Sequence, residues 1–379
     1  MNRNLNVERF SYRSVKKHLT NLSSIQKLPA FAPEDSNQND QLFVTSLASI
    51  RAQLQAEPVR KSRFAGSDFS IDIGFLESVH PNALANKQDH NHIAAMHTGL
   101  AMVILEFAWF VMAQGEVFPE LGSIEQETSP TALDGIPPGL SVLLQTLEIG
   151  GVAETANLTA PIMPNDPHRS AAAYYLALLM MRFVWLHELA HCQLGHIDFL
   201  RDAGGHAESS SLGFDELNLN ELGQMAPSLD SRILQCLEFE ADGYALGQSI
   251  AIQVENKENI DGIAALPRDL RLRMALFGIC AMSWLMEAMA STFTRGRLAI
   301  THPAPIRRLQ MAQNMAVWEL TDLGLDASEV TRSTLREFEF VLGQIGRQWL
   351  QTDKFDPISY RTVFEETRVK LERFRYIET

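Results

Sequence analysis

A long and almost uninterrupted apolar segment, residues 171–186, most constrains what this chain can fold into. Its only charged residue is Arg182. Asp166 is a typical N-cap residue, Pro167 suits the first helical position, and Gly195 suits the position just beyond a helix end. A helix that is apolar on nearly every face has to be buried. The sequence therefore predicts one long buried helix between Asp166 and Gly195.

The last turns of this helix carry the run His-Glu-Leu-Ala-His at residues 187–191. Positions i and i+4 share a helix face, so His187 and His191 can direct both imidazoles at one Zn²⁺. Glu188 then lies beside the metal without binding it, where it can act as a general base on zinc-bound water. This spacing is typical of zinc metalloproteases. The alternative is a pair of ordinary core histidines beside a salt-bridged glutamate.

A second predicted helix follows Asp230, a suitable N-cap, and runs towards Ile252. Glu238 and Asp242 have the i, i+4 spacing on this helix and therefore share a face. Glu238 completes a site of two histidines and one glutamate, which leaves a metal position open for water. Asp242 can accept the free N–H of a ligand histidine and so fix its tautomer.

Two other residues compete with Glu238 for the third ligand position. Glu240 comes two residues later, but it lies on another helix face from Asp242. His196 comes soon after the motif, but it is out of register with the pattern that gives metzincins their third histidine. We interpret His196 as a histidine at a helix end or on the surface. A plain solvated acidic helix is the simplest alternative for the segment that contains Glu238.

The two motifs together resemble the gluzincin metallopeptidases of the CAAX-prenyl-protease and heat-shock-protease type. Residues 187–191 are similar to the zinc helix of that group, and Glu238-Phe-Glu-Ala-Asp242 is similar to its second ligand helix. Thr301–Leu309 resembles the Thr-His-Pro segment of the group. Two stretches upstream, Asn82–Ala85 and His92–Leu100, resemble a pair of strands in the same family. The site is also similar, by analogy, to those of Lit and ImmA/IrrE-type proteases.

The resemblance implies further roles at the site. His302 corresponds to the oxyanion donor of the family, although a histidine before proline is also an ordinary helix-entry residue. Asn82, Ala83, Leu84 and Ala85 correspond to a sheet edge beside the cleft, and substrate is expected to lie along residues 82–86 by strand addition. The chain departs from the family between Gly99 and His187, where it carries an extra apolar helix and a loop rich in proline and glycine.

The expected fold is mainly α (α+β), with a zincin-like catalytic domain and a small sheet beside the active-site helix. We divide the chain into a basic N-terminal helix and linker (1–45), a metallopeptidase domain (46–325) and a C-terminal helical extension (326–379). The domain has insertions at 115–165 and 198–230, and the second is either a lid over the cleft or a disordered loop. The extension is predicted to form two amphipathic helices, Glu329–Leu350 and Tyr360–Tyr376.

Charge and cysteine content limit the partners and the compartment. The net charge of −14, from 32 Lys and Arg against 46 Asp and Glu, argues against nucleic acid as a partner. Three cysteines, Cys192, Cys236 and Cys280, leave an odd thiol in any pairing scheme. An odd thiol favours a reducing cytoplasm.

No segment is expected to span a membrane. The longest apolar candidates are Thr98–Ala113, interrupted by Glu106, and Met274–Met286, bounded by Arg273 and Glu287. Both are shorter than the roughly 20 apolar residues that a span needs. The N-terminal residues contain no apolar signal core, so a secretory leader is not expected.

The function expected from these patterns is zinc-dependent hydrolysis of peptide bonds. Glu188 assists the attack of zinc-bound water on a specific cytoplasmic protein, in a defence or stress response. A housekeeping peptidase of short peptides and a non-catalytic zinc-binding scaffold or regulatory protein are the alternatives. The sequence leaves the oligomeric state open.

Overall fold

The structure is a computed structural model that describes most of the chain. The described residues are 30–31, 41–56, 58–78, 80–88, 90–132, 137–140, 162–203, 213–215, 230–293, 305–346 and 357–378. The predicted basic N-terminal helix and the predicted oxyanion donor His302 lie outside these residues. So do residues 133–136 and 141–161 of the predicted insertion at 115–165, and residues 204–212 and 216–229 of the predicted insertion at 198–230.

Helices make up most of the described chain, with two small sheets. In chain order the elements are β1 (Ala30–Phe31), α1 (Gln41–Ala56), β2 (Arg60–Ser62), β3 (Ile71–Leu76), β4 (Ala83–Gln88), β5 (Asn91–His97), α2 (Thr98–Met112), a 3-10 turn (Ile124–Gln126), α3 (Pro167–Gln193), α4 (His196–Ala203), β6 (Gly213–Asp215), α5 (Ser231–Val254), α6 (Asp261–Ala264), α7 (Arg268–Phe293), α8 (Pro305–Asp322), α9 (Ala327–Gln344), α10 (Pro357–Leu371) and β7 (Tyr376–Glu378). The mainly helical, mixed fold expected from the sequence is confirmed at this level.

The long buried helix predicted from the apolar segment is α3. Asp166 caps it by accepting a hydrogen bond from the backbone N–H of Arg169, and Pro167 occupies its first turn. Gly195 follows its end with a φ of +79°, a conformation that favours glycine. The predicted N-cap of the second ligand helix, Asp230, likewise accepts from the backbone N–H of Arg232 at the start of α5.

Helix α3 runs through the centre of the molecule, where it packs against α1, α2, α5, α7 and the strands β4 and β5. Trp185 is buried against Phe75 of β3, and its indole N–H donates to Ser46 of α1. The charge of Arg182 is tolerated in this interior because the Arg182 guanidinium donates two hydrogen bonds to Glu258.

The larger sheet has the strand order β1-β3-β5-β4-β6. Strands β3 and β5 are parallel, and the other neighbouring pairs are antiparallel. Strand β4 therefore lies between β5 and β6, with Leu84 opposite Asp215, Ala85 opposite Phe214 and Asn86 opposite Gly213. The expectation that residues 82–86 form a free sheet edge is wrong, because part of the 198–230 insertion pairs there. A substrate strand can add to β4 at these residues only if β6 leaves.

The C-terminal segment returns to the centre of the molecule. The second tail helix ends at Leu371, and Tyr376 begins β7, which pairs with β2; the prediction that this helix reaches Tyr376 is wrong. The Tyr376 hydroxyl lies 2.9 Å from Lys87 Nζ and 3.0 Å from His92 Nε2, and it donates to Asp198. These contacts join the end of the chain to the sheet and to α4.

The predicted domain boundaries do not coincide with separate cores. The boundary at residue 45 falls inside α1, and Phe338, Val341 and Phe374 from the tail belong to the same hydrophobic cluster as α3. The three cysteines are free and buried. Among the described helices, none is long and apolar enough to cross a membrane.

Candidate metal centre

Two helices bring the predicted ligand residues together. His187 and His191 lie one turn apart near the C-terminal end of α3, and Glu238 lies on the packed face of α5. Because α3 and α5 pack against each other, the two imidazoles and the carboxylate converge. Their ligand atoms all lie within 4.8 Å of one another, and all three side chains are buried.

Two of the three distances suit a tetrahedral zinc ion. The two Nε2 atoms are 3.0 Å apart, and the Glu238 carboxylate oxygens lie 3.4 Å from His187 Nε2 and 3.5 Å from His191 Nε2. Ligand atoms at about 2.0–2.2 Å from a tetrahedral zinc lie about 3.3–3.6 Å from one another, so the two Glu238 distances fall in this range and the two Nε2 atoms are slightly closer together. The donor set of two nitrogens and one oxygen is that of a catalytic rather than a structural zinc site. The residues therefore fit the ion.

His187 is oriented from behind by Asp242 and Arg308. The Asp242 carboxylate lies 3.0 Å from His187 Nδ1, and it accepts two hydrogen bonds from the Arg308 guanidinium at 2.7 and 2.6 Å. Burial would raise the pKa of Asp242, but the charge of Arg308 and the hydrogen bond from His187 outweigh burial and lower it. An ionised carboxylate only accepts hydrogen bonds, so His187 Nδ1 carries the proton that Asp242 accepts.

His191 has a different partner behind it. Its Nδ1 lies 3.0 Å from Nδ1 of His196, whose Nε2 lies 3.1 Å from Glu240. Arg375, just before β7, donates to the same Glu240 carboxylate. Burial would raise the pKa of Glu240, but the hydrogen bonds and charges of His196 and Arg375 outweigh burial and hold the pKa at about 2.

The other predicted site residues lie close by along the chain. Glu188 follows His187 on α3 and is 1% exposed, so an ionised Glu188 is a buried charge beside the ligand cluster. Asn82 precedes β4 and is buried, and Ala83, Leu84 and Ala85 form the start of β4, which packs on α3. Their predicted contact with substrate stays a prediction.

The structure corrects one interpretation made from the sequence and places the alternative third ligand away from the cluster. His196 is 0% exposed at the start of α4, so the interpretation of a surface histidine is wrong. Glu240, the alternative third ligand, faces His196 and Arg375 instead of the ligand cluster. The contact between His196 and His191 could have been predicted from the sequence, because the two histidines lie close together along the chain. Arg375 has no local signal, because only the tertiary fold brings it to Glu240.

The comparisons with known proteins supply no relative for this chain: no family model, no curated protein and no solved structure matches it.

Proposed function

We propose that the chain is a zinc-dependent endopeptidase with a zincin-like catalytic domain. The observation that carries this proposal is the convergence of the buried side chains of His187, His191 and Glu238, whose ligand atoms all lie within 4.8 Å of one another. The buried Glu188 follows His187 in the same helix. Two neutral imidazoles and one carboxylate leave a bound zinc with a net positive charge and an open coordination position. Such a site suits hydrolysis better than a purely structural role.

Each residue of the site has a separate role in the proposed reaction. His187, His191 and Glu238 hold the ion, and Asp242 orients His187. Bound zinc supplies a Lewis acid that lowers the pKa of water and polarises a substrate carbonyl. Glu188 accepts the proton of the attacking water and then donates it to the leaving amine. The substrate that we propose is a specific protein of the cytoplasm, cut in a defence or stress response.

The experiment that tests this function compares the wild-type protein with Glu188→Gln in cell lysate. Both proteins should bind about one zinc per chain, because Glu188 is not a ligand. New protein N-termini should appear with the wild type and fall by about 10²–10⁴-fold with Glu188→Gln, the loss that removal of a general base causes. Glu329→Gln, on the exposed side of α9, is the matched control and should cleave like the wild type.

The outcomes of this experiment distinguish the three functions considered for the protein. A few new N-termini at defined sites support a selective endopeptidase, and many short products support a peptidase of short peptides. Zinc binding without any product that depends on Glu188 makes the protein a non-catalytic zinc-binding protein. Absence of zinc from the wild type overturns the metal centre itself.

A further inference from the structure

We propose that strand β6 (Gly213–Asp215) is an autoinhibitory strand, which occupies the place of the substrate on β4 and leaves before a protein substrate binds. The proposal rests on the proposed peptidase function, and it defines the substrate of that function further as an extended stretch of polypeptide. Its basis is the antiparallel pairing of β6 with residues 84–86 of β4, the strand along which substrate is expected to lie.

The backbone groups of β4 that face β6 follow from the pairing of β4 on its other side. The Asn82 carbonyl accepts a hydrogen bond from the backbone N–H of His97, at the end of β5. Successive residues of an antiparallel strand direct their backbone groups to opposite neighbours. Ala83, Ala85 and Lys87 therefore direct their N–H and C=O groups away from β5, to the side on which β6 lies.

The part of this edge that can bind another strand is short. The Lys87 N–H donates to the side-chain oxygen of Asn86 at 2.7 Å, and the Lys87 carbonyl accepts a hydrogen bond from Arg201 of α4. Because these contacts occupy the Lys87 groups, a partner strand has to use the groups of Ala83 and Ala85. Any extended peptide that adds to this side of β4 therefore needs these two residues.

Strand β6 and a substrate strand compete for this edge. Phe214 lies opposite Ala85, so β6 already faces the groups that an added strand needs. Strand β4 packs against α3, the helix that carries His187, Glu188 and His191. The contested edge thus belongs to a strand in contact with the helix of the proposed metal centre, and β6 excludes substrate from it.

Release of β6 does not require the rest of the fold to open. The strand is the last in its sheet, and among the described strands it pairs with β4 alone, over three residues. Such short edge segments open locally at a small part of the free energy of global unfolding. The proposed ligands His187, His191 and Glu238 lie on α3 and α5. Release of β6 therefore frees the edge and keeps the proposed zinc site.

The first test compares two prolines in β6. Because Ala85 directs its backbone groups to β6, Phe214 is its hydrogen-bonded partner, and Phe214→Pro removes the N–H of that pair. The N–H of Asp215 points away from β4, and an edge strand tolerates proline on that side, so Asp215→Pro is the matched control. The readout is the rate at which new N-termini that depend on Glu188 appear in cell lysate.

The expected change follows from the open population. A minor open state of about 1–10% reduces apparent activity by the same fraction, so Phe214→Pro should cleave about 10–100-fold faster than the wild type. Asp215→Pro should cleave at the rate of the wild type. Both variants should keep their zinc.

The second test closes β6 covalently. Leu84 and Asp215 lie opposite each other in a pair whose backbone groups do not bond, and the Cα atoms of such pairs are about 4.5 Å apart, within reach of a disulfide. The three native cysteines are buried, so the added pair is the one that an oxidant reaches. The oxidised form of Leu84→Cys/Asp215→Cys should cleave at least about tenfold more slowly than the reduced form of the same protein, with equal zinc content.

The results distinguish this proposal from the proposed function. Equal rates for the oxidised and reduced forms, or for Phe214→Pro and the wild type, overturn autoinhibition and leave the peptidase in place. A Phe214→Pro protein that cleaves more slowly than Asp215→Pro, or that loses its zinc, shows that β6 supports the site and also overturns autoinhibition. If no variant, with β6 open or closed, forms products that depend on Glu188, the proposed function fails and autoinhibition fails with it.

Discussion

Glu238 and Glu240 are neighbours on α5, yet they face different partners. Glu238 lies 3.4 and 3.5 Å from the two imidazole Nε2 atoms, whereas Glu240 contacts His196 and Arg375. Residues two apart on a helix point in different directions. One carboxylate therefore joins the cluster of His187 and His191, and the other contacts His196 behind this cluster.

Exchanging each carboxylate for an amide should separate these two roles. We expect Glu238→Gln to lose its zinc on dialysis, because the amide removes the negative charge of the proposed carboxylate ligand. Glu240→Gln should retain zinc with an affinity reduced by at most about 10–100-fold, since Glu240 contacts His196 behind the ligand cluster and does not reach the proposed ion. Metal analysis after dialysis, followed by chelator competition, measures both. A Glu240→Gln protein without zinc beside a fully loaded Glu238→Gln protein would reverse the assignment.

At the residue scale, spacing alone predicts what lies on one helix face. Helix geometry predicts that residues at i and i+4 share a face, so the sequence predicted the pairs His187 with His191 and Glu238 with Asp242. The contact between Glu240 and Arg375 could not be predicted from the sequence. Arg375 reaches it only because β7 pairs with β2 and carries the end of the chain back to α4 and α5.

The end of helix α3 lies in close contact with the C-terminal segment. Gly195 ends the helix with a φ of +79°, and a Cβ placed there would lie 2.4 Å from the backbone oxygen of Phe374. Gly324, just after α8, has a similar φ of +69° with nothing within 4 Å of its Cβ position. The two glycines share the backbone requirement, and Gly195 alone has the contact.

Alanine substitutions should therefore differ at the two sites. Gly324→Ala should cost about 1 kcal/mol of unfolding free energy from the backbone conformation alone. Gly195→Ala should cost about 1–3 kcal/mol more, because the Phe374 backbone must move. Urea unfolding of the two variants and the wild type measures the difference. Equal losses would show that α3 does not depend on its contact with the C-terminal segment.

At the element scale, local signals found helices better than they found pairing. The caps of α3 and α5 were predicted correctly, because Asp166, Asp230 and Gly195 act through their own backbone neighbours. The free edge of β4 was predicted wrongly. Strand β6 comes from a polar insertion with no recognisable strand pattern, and only the fold brings it opposite residues 84–86.

At the scale of the whole molecule, one buried ion pair joins three parts of the core. Arg182 of α3 donates to Glu258, which follows α5, and to Ser49 of α1. Glu258 also accepts from Gln253 of α5. The sequence shows Arg182 only as a charged residue within an apolar segment. Its ion pair with Glu258 could not be predicted, because Glu258 lies far along the chain.

This pair gives the fold a dependence on pH whose direction can be derived. Burial would raise the pKa of Glu258, but the hydrogen bonds and charge of Arg182, with further hydrogen bonds from Gln253 and the Ile260 backbone, outweigh burial and lower it. In the unfolded chain the pKa of a glutamate is about 4.3. The stabilisation is therefore complete above about pH 4.3 and is lost as the pH falls through the lower pKa of the folded protein.

Glu258→Gln should destabilise the protein at pH 7 by about 3–5 kcal/mol, because it leaves the Arg182 charge buried without its carboxylate. The difference in unfolding free energy between the wild type and this variant should shrink as the pH falls below about 4, since protonation removes the same charge from the wild type. Urea unfolding at a series of pH values measures this difference. Glu329→Gln, which breaks the exposed pair with Arg332, should change stability little at any pH. A difference for Glu258→Gln that stays constant from pH 7 to pH 3 would mean that Glu258 does not stabilise the core as an ionised partner of Arg182.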